Sequence, residues 1–598
     1  MKNAHSFHIP VMGIGFTIDS PLKVAQFGID SVISLVDDIL VEKMRKIYSE
    51  KFEIPYQEIS DKVDDFRAKR ITSYLNLLHD QTEEKFNQLK NITSKKSKAL
   101  KEYMHMLPEY SSLKKEFTKL TEEGVDFSKM KDWVHKNLTM GSIDVNIMTK
   151  VDKGNYRNKE LLPIEYNDAH AALRGFSESK LSSSLVLSAG MNPRLYSYIS
   201  NFSDFFPDEK GYIKKKIILK VSDYRSAFIQ GKFLAKKGLW VSEYRVESGL
   251  NCGGHAFATD GFLLGPVLKE FKEHKETLIS ETQALLMNAL KEANKVLPTN
   301  NLKLKITTQG GVGTDEEHSF LMKEYQLDSV GWGSPFLLVP EATSVDDKTM
   351  EKLAQAKEAD LYLSNTSPLG VPFNTLKGNT KDLEKQQFID KDRPGSSCPN
   401  KFIALNHEFK DSGLCTASRE YQHLKIKELD SLELPLDEKK KKHNQIIEKS
   451  CICVGLSTST LILNKMSTKK TGVGVSVCPG PNMAYYDKVI SLRGITDHIY
   501  GRKNMMTRTD RPNIFVKELS LYITHLQEKV ADVKMNIDKK QLRSLLKFKK
   551  NLEAGIEYYS DLFLNKKASF VNQKETLLNA LKLEQQKLIL ISDEIEKM

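Results

Sequence analysis

The feature that most constrains this chain is a recurring alternation of short apolar runs with helix-periodic stretches. His8 to Phe16, Gly28 to Leu35, Ser142 to Met148, Leu185 to Ala189, Lys216 to Val221, Leu239 to Tyr244, Lys303 to Thr308 and Asp328 to Gly331 each read as a buried strand. Helical sequence lies between them. Ser20 to Phe27 opens with a serine cap and a proline, and Ser226 to Lys237, Val267 to Val296 and Ser319 to Tyr325 follow. Strand, helix, strand at such intervals means a parallel sheet, and eight strands are what a closed barrel needs. The expected fold is therefore α/β, a (β/α)8 TIM barrel.

Long stretches break the alternation. Residues 37–136 are charged, helix-periodic and poor in glycine, which predicts a helical insertion between strands of a barrel made from 1–36 and 137–345. Residues 346–510 begin with a helix, Asp347 to Ala359, and continue as a loop-rich, cysteine-bearing extension. Residues 511–598 are helical again, with Leu519, Leu521, Leu526 and Val530 at helical spacing, and read as a hairpin packed on the barrel or as a partner-binding arm. At 598 residues the chain exceeds what a single core usually serves.

Composition narrows the class. With 40% apolar and 28% charged residues the chain is globular and not disordered. Six cysteines are too few for a disulfide-built fold and suit a reducing compartment. Met1 to Pro10 lacks the pattern of a secretory signal, and no apolar run approaches bilayer length, so a cytoplasmic protein without a membrane partner is expected. The net charge of +11 suits an anionic partner such as nucleic acid, a phosphorylated cofactor or a carrier protein, and lysine-rich solubility explains it equally well. The lysine run Lys439 to Lys442 reads as a solvated loop, and His318, His407 and His443 have no metal-ligand spacing.

Three segments carry chemistry. Val246 to Phe257, V-E-S-G-L-N-C-G-G-H-A-F, places His255 directly after Gly253 and Gly254, so that backbone lies flat against a ligand beside a residue able to move protons. Gln309 to Thr314, Q-G-G-V-G-T, connects a strand to a helix, and small residues in such a turn expose successive N–H groups to an anion. Gly331 to Ser334 forms a second such turn after the next strand. Anion-binding turns on the last two strands make the usual phosphate site of a parallel barrel.

The late cysteines form another constellation. Cys398 and Cys478 each precede a proline, Cys415 lies between them, and Cys451 and Cys453 form a C-I-C pair. Cys398, Cys415, Cys453 and Cys478 are the expected ligands of an iron-sulfur cluster, with zinc as the alternative ion and buried free thiols as the plain reading.

In order along the chain, I-P-V-M-G (Ile9 to Gly13), V-N-I-M (Val145 to Met148), S-A-G-M-N-P (Ser188 to Pro193), the segment ending at His255, G-G-V-G-T and G-W-G-S-P-F resemble the FMN-dependent barrel family of nitronate monooxygenases and flavin-type enoyl-acyl-carrier-protein reductases. The resemblance covers roughly residues 8–35 and 139–340. It implies FMN as cofactor, its phosphate held by Gly310, Gly311, Val312, Gly333 and Ser334. Met12, Gly13 and Asn146 would lie along the isoalloxazine or ribityl chain, with Gly253 and Gly254 close to the flavin. His255 matches the family's histidine and would give or take a proton beside flavin N5. The chain departs from the family in a longer approach from Glu247 to Gly253 and in Cys252. The expected function is an FMN-dependent oxidoreductase acting on a small organic or acyl substrate, with NAD(P)H or a ferredoxin-like protein as electron donor. The alternatives are a flavin enzyme acting on nucleic-acid bases and a non-catalytic barrel scaffold.

Overall fold

The computed structural model describes residues 4–91, 97–188, 190–533, 538–565 and 570–598. Eight parallel strands close on themselves: β1 (Phe7–Ile9), β2 (Asp30–Ser34), β3 (Ile143–Met148), β4 (Ser184–Ser188), β5 (Lys216–Val221), β6 (Val241–Glu247), β7 (Lys305–Gln309) and β8 (Ser329–Gly331). Neighbours in the barrel are neighbours in sequence, and β8 closes the ring on β1 through Phe7↔Val330 and His8↔Gly331. The fold is thus a (β/α)8 TIM barrel. All eight expected strands exist, with edges displaced by a few residues. β1 stops at Ile9 because Pro10 offers no N–H to the ladder. Ala189, the expected end of β4, lies outside the described residues.

Strand alternation sorts the interior. Val32, Val186 and Ile218 face inward with Val11 as an apolar plug, while neighbouring positions face the surrounding helices. A polar layer also lies inside. Arg245 pairs with Glu243 at 2.7 Å, and Thr307 donates to the same carboxylate at 2.6 Å, so each buried charge has a partner.

The insertion between β2 and β3 comprises helices Asp38–Lys51, Phe66–Lys90, Lys98–Met106, Ser112–Glu122 and Phe127–Asn137. Asp37 caps the first of these by accepting from Leu40 N at 2.8 Å. Asp38 then fixes the second, pairing with Arg67 and with Arg70 at 2.8 Å, all three side chains buried. Phe66–Lys90 packs on the barrel helix Asp168–Ser177, where Thr72 donates to Gly175 O at 2.9 Å.

Beyond the barrel the chain is more helical than its sequence suggests. A hairpin of β9 (Leu361–Ser364) and β10 (Phe373–Leu376) is followed by helices Thr380–Asp390, Arg419–Asp430, Leu436–Ile447, Ile452–Leu463 and Leu492–Ile499. The expected loop at Lys439 to Lys442 is corrected: these lysines ride on Leu436–Ile447, a helix with no buried residue. Among the described residues one stretch, Leu436–Leu463, is long and apolar enough to cross a membrane, against the expectation of none. Its apolar window is 67% buried inside the fold. Its second half, Ile452–Leu463, is buried from Ile452 to Leu461, and each Ile or Leu so placed contributes about 1.5–3 kcal/mol. The final region is three helices and not a hairpin: Ile514–Val533, Lys539–Asn565 and Lys574–Glu596. Leu519, Leu526 and Val530 face inward as their spacing predicts, joined by Tyr522 and Ile523.

Candidate functional site

One large cavity opens at the C-terminal ends of the strands, with about 1440 Å³ of empty space including its mouth. Every barrel strand contributes to its wall: Met12 and Gly13 after β1, Ser34 on β2, Asn146 on β3, Ser188 on β4, Lys220 on β5, Glu247 to His255 from β6, Gln309 to Val312 from β7, and Gly333 and Ser334 after β8. The eleven residues expected to hold a flavin or move its proton all line this one space. The extension supplies the opposite wall, with Leu369, Phe373, Ile403, Ile452, Leu456 and Asn482.

The turn after β7 is built for close approach. Gly310 and Gly311 have φ of 110° and 85°, the left-handed region where a side chain is strained. A Cβ on Gly310 would meet Cys252 Sγ at 2.5 Å, and one on Gly311 would collide with the Asn251 amide. Among the described residues, no protein acceptor takes the amides of Gly310, Gly311, Val312, Gly333 or Ser334. Five unpaired donors thus belong to two adjacent turns that line the cavity, with the start of helix Asp315–Glu324 following the first. Orphaned side-chain oxygens line the same space: Asn146 Oδ1, Asn251 Oδ1 and Gln309 Oε1 are buried without a partner. Buried polar atoms are usually satisfied, so this concentration at one cavity marks a ligand surface.

His255 stands on the far side of the segment from β6. Its Nε2 is 2.7 Å from Ser367 Oγ, and Ser367 is fully buried. Leu369 N donates to that oxygen at 3.2 Å, which leaves the hydroxyl one more lone pair as well as its own proton, so either partner can donate in the bond between Ser367 and Nε2. Burial, with the charge of Lys220 as a smaller cause, lowers the His255 pKa to about 4, and the ring is neutral at pH 7. Lys220 is held by Glu247 at 2.8 Å, and Gln309 Nε2 donates to the same carboxylate at 3.1 Å. Burial pushes the Cys252 thiol up, so it is a neutral group beside Gly310.

The lengthened approach from Glu247 to Gly253 has a structural cause. Ser248 donates to Glu518, Gly249 N to Tyr522 Oη at 3.1 Å, and Asn251 to Ile514 O at 3.4 Å, all on the tail helix. Asn374 donates to Cys252 O, while Ala256 N donates to Pro372 O, each at 2.8 Å. The segment is thus strung between the tail and the hairpin of β9 and β10. The two glycines divide their tasks. A Cβ on Gly253 would strike Cys478 O, so that residue serves packing against the extension, whereas the Cα of Gly254 faces open space.

Four of the late cysteines lie near one another. Cys398 lies beside Cys451 and Cys453, whose thiols lower its pKa while their own are raised. Cys415 is a further neighbour, raised to about 12 by burial and by Cys451. Cys478 belongs to the cavity wall, its carbonyl against Gly253. Cys453 also lines the cavity, and among the described residues no group of three or more His, Cys, Asp or Glu is arranged to hold a metal ion.

Sequence reasoning missed Lys220, Glu247, Ser367 and Asn482. A lysine near the end of the apolar run K-I-I-L-K-V was a usable signal for Lys220. Ser367 and Asn482 lie in the extension, where no motif singles them out.

No protein-family model and no curated protein matches the sequence. Among solved structures, the chain is similar to the enoyl reductase domain of MlnA from the macrolactin biosynthesis cluster of Bacillus amyloliquefaciens. The TM-score is 0.33 at 14% identity, over 69% of this chain and 89% of that one.

Proposed function

We propose that this barrel binds FMN at the C-terminal ends of its strands and acts as an oxidoreductase on a small organic or acyl substrate, with His255 handling the proton. The observation that carries the reading is the convergence on one cavity of five unpaired backbone amides, three orphaned side-chain oxygens and a neutral imidazole. The order of sequence motifs, in the manner of nitronate monooxygenases and flavin-type enoyl reductases, supports it independently. FMN would supply two-electron chemistry at a ring nitrogen.

The chain's own residues do the rest. The amides of Gly310, Gly311, Val312, Gly333 and Ser334 would bind the phosphate dianion. Asn146, Asn251 and Gln309 would meet the polar edge of the ring and the ribityl hydroxyls. Ser367 would hold the ring of His255 through Nε2, leaving Nδ1 for the substrate and the serine hydroxyl as a relay for the proton. The apolar side of the cavity, formed by Leu369, Phe373, Ile403 and Leu456, would exclude water and receive carbon substituents.

The test is direct. The purified protein should be yellow or take up FMN, and denaturation should release it in equimolar amount. His255→Ala should keep FMN and lose about 10²–10⁴-fold in turnover. A colourless protein with no affinity for FMN ends the reading.

A further inference from the structure

We propose that the chain beyond the barrel completes the anion site by gripping the carbonyls of the turn after β7, with Arg511 as the central positioning residue. This rests on that turn being the seat of a phosphate monoester. Three successive carbonyls of the turn each meet a side chain from beyond the barrel. Gly311 O accepts from Asn482 Nδ2 at 2.8 Å and from Arg511 Nη2 at 2.6 Å, and Val312 O accepts from Asn482 Nδ2 at 2.7 Å. Gly313 O accepts from His498 Nε2 at 3.0 Å. The direction of that bond is fixed, because His498 Nδ1 already accepts from Met505 N at 3.2 Å. A carbonyl and the next residue's N–H point opposite ways across a trans peptide, so holding Gly311 O fixes the direction of the Val312 amide, while Gly313 N is itself held by Glu317.

Arg511 has a second task. Glu317 lies in the first turn of the helix behind the site, and its Oε2 accepts from Gly313 N at 2.9 Å. Alone, that buried carboxylate would repel an anion. Arg511 Nη1 is 2.7 Å from Glu317 Oε1, with both side chains almost wholly buried, and Arg511 Nε donates to Asn482 Oδ1 at 2.9 Å. One planar guanidinium thus bonds the turn, the neighbouring amide and the offending charge. A lysine's point charge cannot span three acceptors in that plane. The fit is close: a Cβ on Gly313 would meet the guanidinium carbon at 2.5 Å.

The experiment uses the full chain as wild type, Arg511→Gln, Arg511→Lys and Asn482→Asp, with FMN and riboflavin titrated by flavin fluorescence. The expected result is a loss of at least tenfold in FMN affinity in Arg511→Gln and a smaller loss in Arg511→Lys, with riboflavin affinity unchanged. Unchanged FMN affinity overturns the proposal, and so does equal weakening of both flavins. Should Arg511→Gln fail to fold, Asn482→Asp decides by the same two readings. Should the wild type bind neither flavin, the flavin reading fails by itself. The clamp is then judged by hydrogen exchange at Gly310 to Val312 with inorganic phosphate. Protection in the wild type that is absent in Arg511→Gln upholds it, and no protection in the wild type overturns it.

Discussion

The two walls of the cavity are made in opposite ways. The barrel wall offers mostly backbone: glycine-rich turns at strand ends, with amides unpaired and side chains removed. The opposite wall offers side chains, Asn482 on the turn with Phe373 and Leu456 as apolar cover, and behind it Ser367 holds His255 and Arg511 the turn. A backbone surface is set by φ and by what cannot be present. A side-chain surface is set by reach. The barrel wall should therefore tolerate almost no substitution, whereas losses on the opposite wall should be graded.

That contrast can be broken in order of expected effect. Gly311→Val should be the most damaging, since it adds strain at φ 85° to a collision with Asn251. A destabilisation of about 2–4 kcal/mol and loss of phosphate-ligand binding are expected, read by thermal melting and FMN titration. Ser367→Ala should cost about tenfold in turnover with FMN uptake intact, roughly the worth of one hydrogen bond. Ring ¹⁵N shifts of His255 should change on loss of the Nε2 partner, and an unchanged spectrum would remove Ser367 from the role.

A smaller effect is expected at Glu518, a tail residue that accepts from Leu264 N at 2.9 Å and from Tyr559 Oη at 3.0 Å. Burial raises its pKa to about 7. A carboxyl raised in the folded state binds more protons there than in the unfolded chain. Its stabilising contribution is full below about pH 4.5 and is lost as pH rises through about 7. Glu518→Gln should flatten that part of the melting-temperature profile between pH 5 and 8, and an identical profile would refute the assignment. The least effect should follow from Lys440→Gln with Lys441→Gln on the exposed helix: within about 0.5 kcal/mol and no change in flavin binding.

The same contrast explains what could be read in the sequence. Barrel strands and their turns announce themselves, because a buried strand is a local apolar run and a bare turn is written in glycine. Gly310, Gly311 and His255 were legible for that reason. Ser367, Asn482 and Arg511 were not. Their roles depend on which distant backbone they reach, and serine, asparagine and arginine are ordinary in any loop. The extension looked loop-rich because its helices are short and capped by residues equally common in turns, as Ser418 and Asn379 show by accepting from Tyr421 N and Asp382 N.

The clamp on the turn after β7 also sets a timetable. The turn leaves the ribosome well before its outer partners, for Asn482 follows Gly311 by 171 residues and Arg511 by 200. During that interval the barrel strands are complete but the turn's carbonyls have only water to bond. On the proposed reading, a phosphorylated ligand arriving early would meet a loop without its clamp and a Glu317 not yet paired, and retention would begin only when Arg511 docks.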